Sequence, residues 1–438
     1  MIFQDIFAVL LVLGTLVIVH EFGHYAAAKL FGVRVEVFSV GFGKRLFGFR
    51  KGDTDYRVSL LPLGGYVKMS GENPMEASTG DPAEFMSHPR WQRFIIALAG
   101  PAMNIILAIV LLTGVYMVHY AHPHYLDEPA VIGWVDEKSP ADKAGVKPGD
   151  RLTQIDGVNN PNWEQARLRE LMAGGQSLEA TVQRGTQTIP ITLVPNAIGE
   201  DRHGVAGWEP PLIVDVEPDK AAARAGVQRG DQIIAFNGIA VHSIPGLQTL
   251  AQSNKENPVE LTVLRNGSEL KFKMLPFLSD VGGEKRYRIG LGELYHVDQL
   301  SLSQAFSKSI ERNRQFAGLI VVMLKKLVQQ KVSIKQISGP VGIGQAAGDA
   351  LREEGWLPLV GLTALISINL GIFNLFPIPI LDGGMILLLL IEGVMRRNIK
   401  REIKERVYQA AFVFLVIFAV VVIYNDLSKL PGIGRFLP

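Results

Sequence analysis

Two histidines four residues apart, with a glutamate directly after the first, offer the chemistry of a metal site. The stretch is "HEFGH", from His20 through Glu21 to His24. A helical spacing of i and i+4 puts both imidazoles on one face, as two ligands of one tetrahedral zinc ion require. Glu21, one step round the helix, can take a proton from metal-activated water. The motif predicts a hydrolytic zinc site; two histidines hydrogen-bonded within a helix bundle are the alternative.

Such a site needs a third protein ligand. Asp382 is the one acid or base in the apolar run Leu357–Ile391. Pro377 and Pro379 precede it and should break the helix, which is tolerated at membrane depth where the backbone lines a polar cavity. A lone carboxylate there is strongly disfavoured, and zinc would supply the counter-charge. We therefore expect Asp382 to be the third ligand.

These residues lie in segments long and apolar enough to cross a membrane. The first is no signal peptide, because it lacks a basic start and carries the histidine motif where a cleavage site would be. The predicted organisation is a first span at 1–28, a loop with β-hairpins at 29–93, a second span at 94–118, two domains at 125–207 and 208–293, a surface helix at 300–331, a broken third span at 357–394 and a fourth span at 407–426.

Lysine and arginine cluster in two of the loops, at 29–57 and 396–406. Because cytoplasmic loops are enriched in these residues, both loops are predicted to be cytoplasmic. Both termini and the long 119–356 segment then lie outside. His24 falls near the cytoplasmic end of its span, so the site need not lie at the bilayer centre.

Composition sets further bounds. The chain has 438 residues, too many for one compact core, and 48% of them are hydrophobic. Its formal net charge of +2 does not suggest a nucleic-acid partner. Since there is no cysteine, disulfides and cysteine-ligated zinc are excluded.

The long external segment contains an internal repeat. Pro129–Gly157 aligns without gaps to Pro210–Gly238, and 10 of the 29 positions are identical. Each copy predicts a strand, a short helix, a Gly-Asp turn, a strand, a helix and a hairpin. This pattern resembles the PDZ domain, which binds extended peptides by strand addition. Packing modules or steric filters that bind no peptide are the alternative.

Two further stretches flank these elements. The run Ser301–Lys331 has apolar residues at helical spacing among basic ones, which favours an amphipathic helix on the membrane surface over a helix packed on the second repeat. The β-branched run Val33–Val40 and the run Tyr56–Val67 predict hairpins near the membrane. We expect Val33–Val40 to offer a free strand edge for an unwound substrate, with Gly41 and Gly43 allowing close approach of backbones.

A second histidine cluster follows the second span, at His119, His122 and His124. Its residue type and spacing would suit a metal. A solvated, proline-containing exit from a membrane helix explains the cluster without any ligand. The sequence favours that second interpretation.

The combination of "HEFGH" in the first span, "LDG" at 381–383 in the third and tandem PDZ-like repeats between the second and third resembles the site-2 protease family of intramembrane zinc metalloproteases. The similarity covers nearly the whole chain and is greatest to the RseP-type subgroup. The implied fold is a four-span α-helical membrane core with membrane-associated β-hairpins and two α+β, barrel-like PDZ domains outside. Met385 departs from the pattern, since relatives often have histidine after "LDGG".

The resemblance implies that His20, His24 and Asp382 hold Zn²⁺ and that Glu21 is the catalytic base. It also implies that Asn369 and Asn374, which precede the "LDG" motif, bind substrate together with the hairpin region. The expected location is the bacterial inner membrane, with the termini and PDZ domains periplasmic and the active site toward the cytoplasm. The expected partners are the lipid bilayer and single-span membrane proteins, such as a membrane-bound anti-sigma factor or remnant signal peptides.

Two other functional classes compete with this prediction. One is a catalytically inactive, membrane-anchored PDZ scaffold, which would have no use for a lone aspartate in a broken apolar span. The other is a zinc transporter, which should carry polar positions along several spans, whereas the second and fourth spans are nearly bare.

Overall fold

The computed structural model describes residues 2–72, 80–121, 124–173, 177–194, 205–207, 211–213, 215–281, 284–291, 297–329, 339–352 and 355–428. The chain divides into two compact units. The first consists of Met1–His119, Gln299–Leu327 and Ser333–Pro438. The second consists of Tyr120–Asp298 and Val328–Val332.

The helices, in chain order, are α1 (Ile2–Leu30), α2 (Arg90–Val118), α3 (Pro140–Lys143), α4 (Trp163–Ala173), α5 (Ala221–Ala225), α6 (Ile244–Asn254), α7 (Leu302–Val328), α8 (Pro340–Arg352), α9 (Leu357–Asn374), α10 (Asp382–Met395) and α11 (Arg401–Ser428). Four of the described helices, α1, α2, α9 and α11, are long and apolar enough to cross a membrane. Large apolar side chains of α11, such as Phe412 and Val420, are exposed, as a lipid-facing helix requires.

The strands, in chain order, are β1 (Val35–Lys51), β2 (Thr54–Met69), β3 (Tyr120–Ala121), β4 (Ile132–Val135), β5 (Arg151–Ile155), β6 (Val158–Asn159), β7 (Leu178–Arg184), β8 (Gln187–Leu193), β9 (Val205–Gly207), β10 (Gln232–Phe236), β11 (Ile239–Ala240), β12 (Val259–Arg265), β13 (Ser268–Met274), β14 (Phe277–Val281), β15 (Glu284–Arg288) and β16 (Val297–Asp298). The chain is thus a membrane protein with β-rich regions.

The first unit packs its helices around α1 and α2. Ala8, Val12 and Leu16 of α1 are fully buried against Ala347 of α8. Toward the other end of α1, Ala27 and Ala28 share a buried cluster with residues of β1, β2 and α2. One face of the helix is therefore buried along most of its length, while side chains such as Leu11 and Phe22 are exposed.

The hairpin β1–β2 folds back on itself into a four-stranded arrangement. Residues 35–40 pair on one side with 65–69 and on the other with 54–59, which in turn pair with 45–51. The sheet edges are therefore 65–69 and 45–51. The prediction that Val33–Val40 offers a free edge is wrong, because both sides of 35–40 are already hydrogen-bonded within the sheet.

In the second unit the two repeats form sheets of the same order. The first copy has β6-β5-β7-β8 and the second has β11-β10-β12-β13, both antiparallel. Each copy buries its own apolar core, around Leu152 and Val182 in the first and around Ile233 and Val263 in the second. The repeat in the sequence thus corresponds to a repeat in structure.

A buried aspartate clamps each copy at its Gly-Asp turn. Arg184 donates two hydrogen bonds of 2.7 Å to Asp150, and the amide of Lys147 donates a third. Arg265 holds Asp231 in the same way, at 2.6 and 2.7 Å. Burial alone would raise the pKa of Asp150, but the hydrogen bonds from the guanidinium and the amide outweigh it and leave the pKa of both carboxyls below the usual value.

This lowered pKa predicts how acid affects the second unit. An unfolded aspartate titrates near pH 3.9, so the clamp stabilises fully above that pH and loses its contribution as pH falls through the lower folded pKa. Asp150→Asn should speed hydrogen exchange of amides within 130–193 at pH 7. Its difference from wild type should shrink between pH 4 and pH 2, after correction for intrinsic exchange rates.

The exposed Asp219 provides the control, since Asp219→Asn should match the wild type throughout. A difference between Asp150→Asn and the wild type that stays constant over the whole pH range would contradict the role of the carboxylate charge.

Candidate active site

Three side chains from two distant parts of the chain meet inside the first unit. His20 and His24 project from α1, and Asp382 is the first residue of α10. His20 Nε2 lies 3.1 Å from Asp382 Oδ2, and His24 Nε2 lies 3.4 Å from Asp382 Oδ1. The two Nε2 atoms are 3.2 Å apart. Within the described residues this is the one group of three or more such side chains with metal-binding spacing.

The spacing of these atoms suits a zinc ion. Nitrogen and oxygen ligands bind zinc at about 2.0–2.1 Å, so ligand atoms at neighbouring corners of a tetrahedron lie about 3.3 Å apart. The separation of the two imidazole nitrogens and the distance from each nitrogen to the carboxylate oxygen beside it bracket that value. Two imidazoles and one carboxylate are also a donor set of the catalytic zinc type, which leaves the fourth corner for water or substrate. The residues present therefore fit the metal.

The ring of His24 is oriented by helix α2. Its Nδ1 lies 2.8 Å from the carbonyl oxygen of Ile96. Because a carbonyl only accepts, Nδ1 carries the proton and Nε2 presents its lone pair toward the cluster. A Cβ atom on Gly100 would lie 2.2 Å from His24 Nε2, so this position of α2 has room for the ring only as glycine.

Asp382 is placed by a break in the third apolar segment. Helix α9 ends at Asn374 and α10 begins at Asp382, with Pro377 and Pro379 in the interval. Cβ atoms on Gly383 and Gly384 would lie within 2.3 Å of backbone atoms in that interval. Glycine at these two positions thus lets the connecting segment fold tightly against α10 and present the carboxylate.

Strain accompanies this turn. Ile380 has φ 96°, a conformation that β-branched residues rarely adopt. Such a residue costs about 1–3 kcal/mol and persists where the surroundings fix it. It lies two residues before Asp382 and lines the same cavity.

Glu21 faces the cavity beside the three ligands. One of its carboxylate oxygens, Oε2, accepts a hydrogen bond of 2.9 Å from the amide of Val67 in β2. The cavity measures about 270 Å³ and is lined by residues of α1, β2, α2 and the α9–α10 connection. Its walls thus combine a metal-binding cluster, a carboxylate base and a sheet edge.

The structure brings some of the predicted residues to this cavity and not others. Asn374 and Met385 line it. Asn369 is half-buried on α9 and is not among the lining residues. Gly41 and Gly43 lie in β1, outside the cavity, both with positive φ. The substrate-binding roles of Asn369, Asn374, Gly41 and Gly43 stay predictions.

In the second histidine cluster, His122 lies outside the described residues. No metal-binding geometry can be assigned to that cluster.

The sequence did not reveal two contributors to the cavity, which are the backbone amides of the edge at 65–69 and the side chain of Glu72. The amides of Val67 and Met69, two residues apart on the sheet edge, donate to the carboxylates of Glu21 and Glu72. Glu72 itself lines the cavity. Its pKa is raised above the usual value, and burial is the largest cause. In the sequence Glu72 is only one acid in a polar loop, because nothing in the neighbouring residues indicates that its side chain lines the cavity.

The contact between Gly100 and His24 yields a test of the metal site. Gly100→Ala should weaken zinc binding on the order of 10–100-fold, because the methyl group displaces the imidazole while alanine preserves the helix. The dissociation constant is measured by competition with a chromogenic chelator on the purified full-length protein.

Gly114→Ala is the matched control on the same helix, where a Cβ atom would meet nothing within 4 Å. It should bind zinc like the wild type. Equal zinc affinities for both alanine variants would show that His24 does not bind the metal.

Comparison with known proteins agrees with this geometry. Residues 8–418 match Peptidase family M50. The chain is 33% identical to the regulator of sigma-E protease RseP of Salmonella typhimurium, over 97% of this chain and 98% of that protein. It is 32% identical to the protein of that name in Escherichia coli K12, over 97% and 99%, and 32% identical to protease RseP of Yersinia pestis, over 97% and 98%. With four candidate membrane helices and a zinc-type donor set, this chain belongs to peptidase family M50 and is an intramembrane zinc metalloprotease.

Proposed function

We propose that His20, His24 and Asp382 hold the catalytic zinc and that Glu21 is the general base for hydrolysis of a peptide bond within a transmembrane segment. The observation that carries this proposal is the convergence of three donor atoms at tetrahedral spacing beside a fourth, carboxylate side chain. Three of these four residues would hold the metal, and the fourth would transfer the proton.

The protein side of the reaction follows from the position of Glu21. The bound zinc supplies Lewis acidity that activates water and polarises the scissile carbonyl. Glu21 takes the proton of the attacking water and later delivers it to the leaving amine. The Val67 amide holds one carboxylate oxygen, which fixes the orientation of the group and leaves the other oxygen for the proton.

A substrate helix protects its own peptide bonds and must be held extended for hydrolysis. We infer that the edge formed by residues 65–69 holds it, in place of the predicted Val33–Val40 edge. The amides of Val67 and Met69 point outward from the sheet at this edge, beside Glu21. Addition of a strand would pair with the outward-facing backbone groups of this edge other than the Val67 amide, which stays on Glu21, and would lay the substrate along the cavity.

The second unit is proposed to consist of two PDZ domains in the periplasm. In support, the repeats have matching sheet orders and matching Asp-Arg clamps at the Gly-Asp turn. Above the membrane they would act as a size filter or bind a newly exposed chain end. The basic loops at 29–57 and 396–406 support cytoplasmic placement of these loops, periplasmic termini and a site that opens toward the cytoplasm.

The proposed substrates are single-span membrane proteins that another protease has already shortened. The relatives are named regulators of sigma-E protease, so a membrane-bound anti-sigma factor is the first substrate class to test, followed by remnant signal peptides. An inner-membrane location in a bacterium agrees with both classes.

Glu21→Gln tests the proposed chemistry directly. The amide cannot take a proton, so turnover of a model single-span substrate by purified protein should fall by about 10²–10⁴-fold. Zinc content should be unchanged, because Glu21 is not a ligand. Product formation equal to wild type, or no product from either protein, would leave the inactive PDZ scaffold as the better description.

The proposed substrate edge can be tested by cross-linking, since the chain has no cysteine of its own. Lys68→Cys introduces a single thiol at an exposed position of the edge formed by residues 65–69. The variant is made in a Glu21→Gln background, so that substrate is bound but not cleaved. Oxidation should cross-link it to a substrate that carries one cysteine near the cleavage site.

Arg50→Cys places an equally exposed thiol in the opposite edge strand of the same sheet. It should give at most background cross-linking. If the two thiols cross-link to the substrate equally, the edge at 65–69 is not its docking strand.

A further inference from the structure

A buried side-chain amide of the second span contacts His20 on the side of the ring that faces away from Asp382. Asn104 of α2 is completely buried. Its Nδ2 lies 3.2 Å from Nδ1 of His20, the ring nitrogen that does not face Asp382. An amide among apolar residues of a membrane helix is costly, so its position against a proposed metal ligand points to a role there.

The tautomer of His20 decides whether that residue can bind zinc. A neutral imidazole carries one proton, and the nitrogen that binds metal must be the other one. For Nε2 to bind zinc, His20 Nδ1 must therefore carry the proton and donate it to an acceptor. His24 has that arrangement, with Nδ1 donating to the Ile96 carbonyl.

Asn104 can supply the missing acceptor. With Nδ2 toward His20, the Asn104 amide donates to Nδ1 of the ring. The single ring proton of neutral His20 is then on Nε2, and this arrangement suits the cluster without a metal ion. Asn104 Oδ1 has no hydrogen-bond partner among the described residues, so no bond holds the oxygen away from the ring. A half-turn of the side-chain amide exchanges two groups of nearly equal size and brings Oδ1 against Nδ1.

We propose that Asn104 is a positioning residue of the zinc site, whose amide oxygen accepts the Nδ1 proton of His20 and so directs the Nε2 lone pair to the metal. The same amide serves both states by turning over when zinc binds. The two ligands of α1 are then oriented by two acceptors of α2, a main-chain carbonyl for His24 and a side-chain amide for His20.

The backbone at Asn104 is held firmly enough for this role. Its main-chain carbonyl accepts a hydrogen bond of 2.7 Å from the buried hydroxyl of Ser367 in α9. A Cβ atom on Gly371 of α9 would lie 3.0 Å from Pro101 O and 3.4 Å from Asn104 Cβ, so the two helices are in close contact here. Small residues at a membrane helix crossing allow this approach.

The test measures zinc binding to the full-length protein rather than activity. Asn104→Leu keeps the branched shape of the side chain but removes the acceptor, and should raise the zinc dissociation constant about 10–100-fold. Asn104→Asp restores an acceptor oxygen and should stay within about threefold of wild type. If the leucine variant does not fold, as judged by melting of the metal-free protein, Asn104→Ala carries the same expectation.

Ser367→Ala is the structural control, because it removes one hydrogen bond to the Asn104 backbone while the close packing of α2 on α9 at Gly371 still holds the amide in place. It should bind zinc like the wild type. The inference is overturned if Asn104→Leu keeps wild-type affinity, if Ser367→Ala weakens zinc equally, or if Asn104→Asp is as weak as Asn104→Leu.

This inference rests on the proposed role of His20 as a ligand, and the two can fail separately. Full zinc affinity in His20→Ala would refute the ligand assignment itself. Loss of affinity in His20→Ala, together with wild-type affinity in Asn104→Leu, would refute only the positioning role of the amide.

Discussion

The first unit depends on the compensation of one carboxylate among apolar helices. Asp382 is the single acidic or basic residue of its apolar run, and removing a carboxylate from water without a partner costs several kcal/mol or more. Its partners are the imidazoles of His20 and His24, at 3.1 and 3.4 Å. Because these residues belong to α1 and α10, compensation of the charge joins the start of the chain to its last third. A zinc ion held there, as proposed, would supply the positive charge that the three side chains share.

Several local features follow from that requirement. The two prolines and the glycine pair around Asp382 interrupt the third apolar segment and turn the carboxylate inward. Glycine at position 100 leaves room for the ring of His24, and the carbonyl of Ile96 sets its tautomer. Each feature is individually common in membrane helices. Their coincidence around two imidazoles and one carboxylate favours the proposed metal site over a pair of hydrogen-bonded histidines.

The sheet edge beside the cluster would link the proposed metal chemistry to the proposed binding of substrate. Backbone amides at a sheet edge require partners, and here the carboxylates of Glu21 and Glu72 accept two of them. The proposed base is thus tied to the strand proposed to hold the substrate. The second unit obeys a different constraint, in which each repeat closes its Gly-Asp turn with a buried aspartate held by an arginine 34 residues later in the chain.

Periodicity, spacing and isolated charges are local properties, so the sequence alone predicts the two-histidine motif, the aspartate in a broken apolar segment, the four apolar spans and the repeat. The free edge assigned to Val33–Val40 was wrong, because residues 35–40 pair on both sides once β1 and β2 fold back on themselves. The pairing partners of the strands, the groups of α2 that contact each histidine and the position of Glu72 depend on contacts between residues far apart in the chain. These features are visible only in the folded chain, because the partner of a side chain depends on which helices and strands pack together.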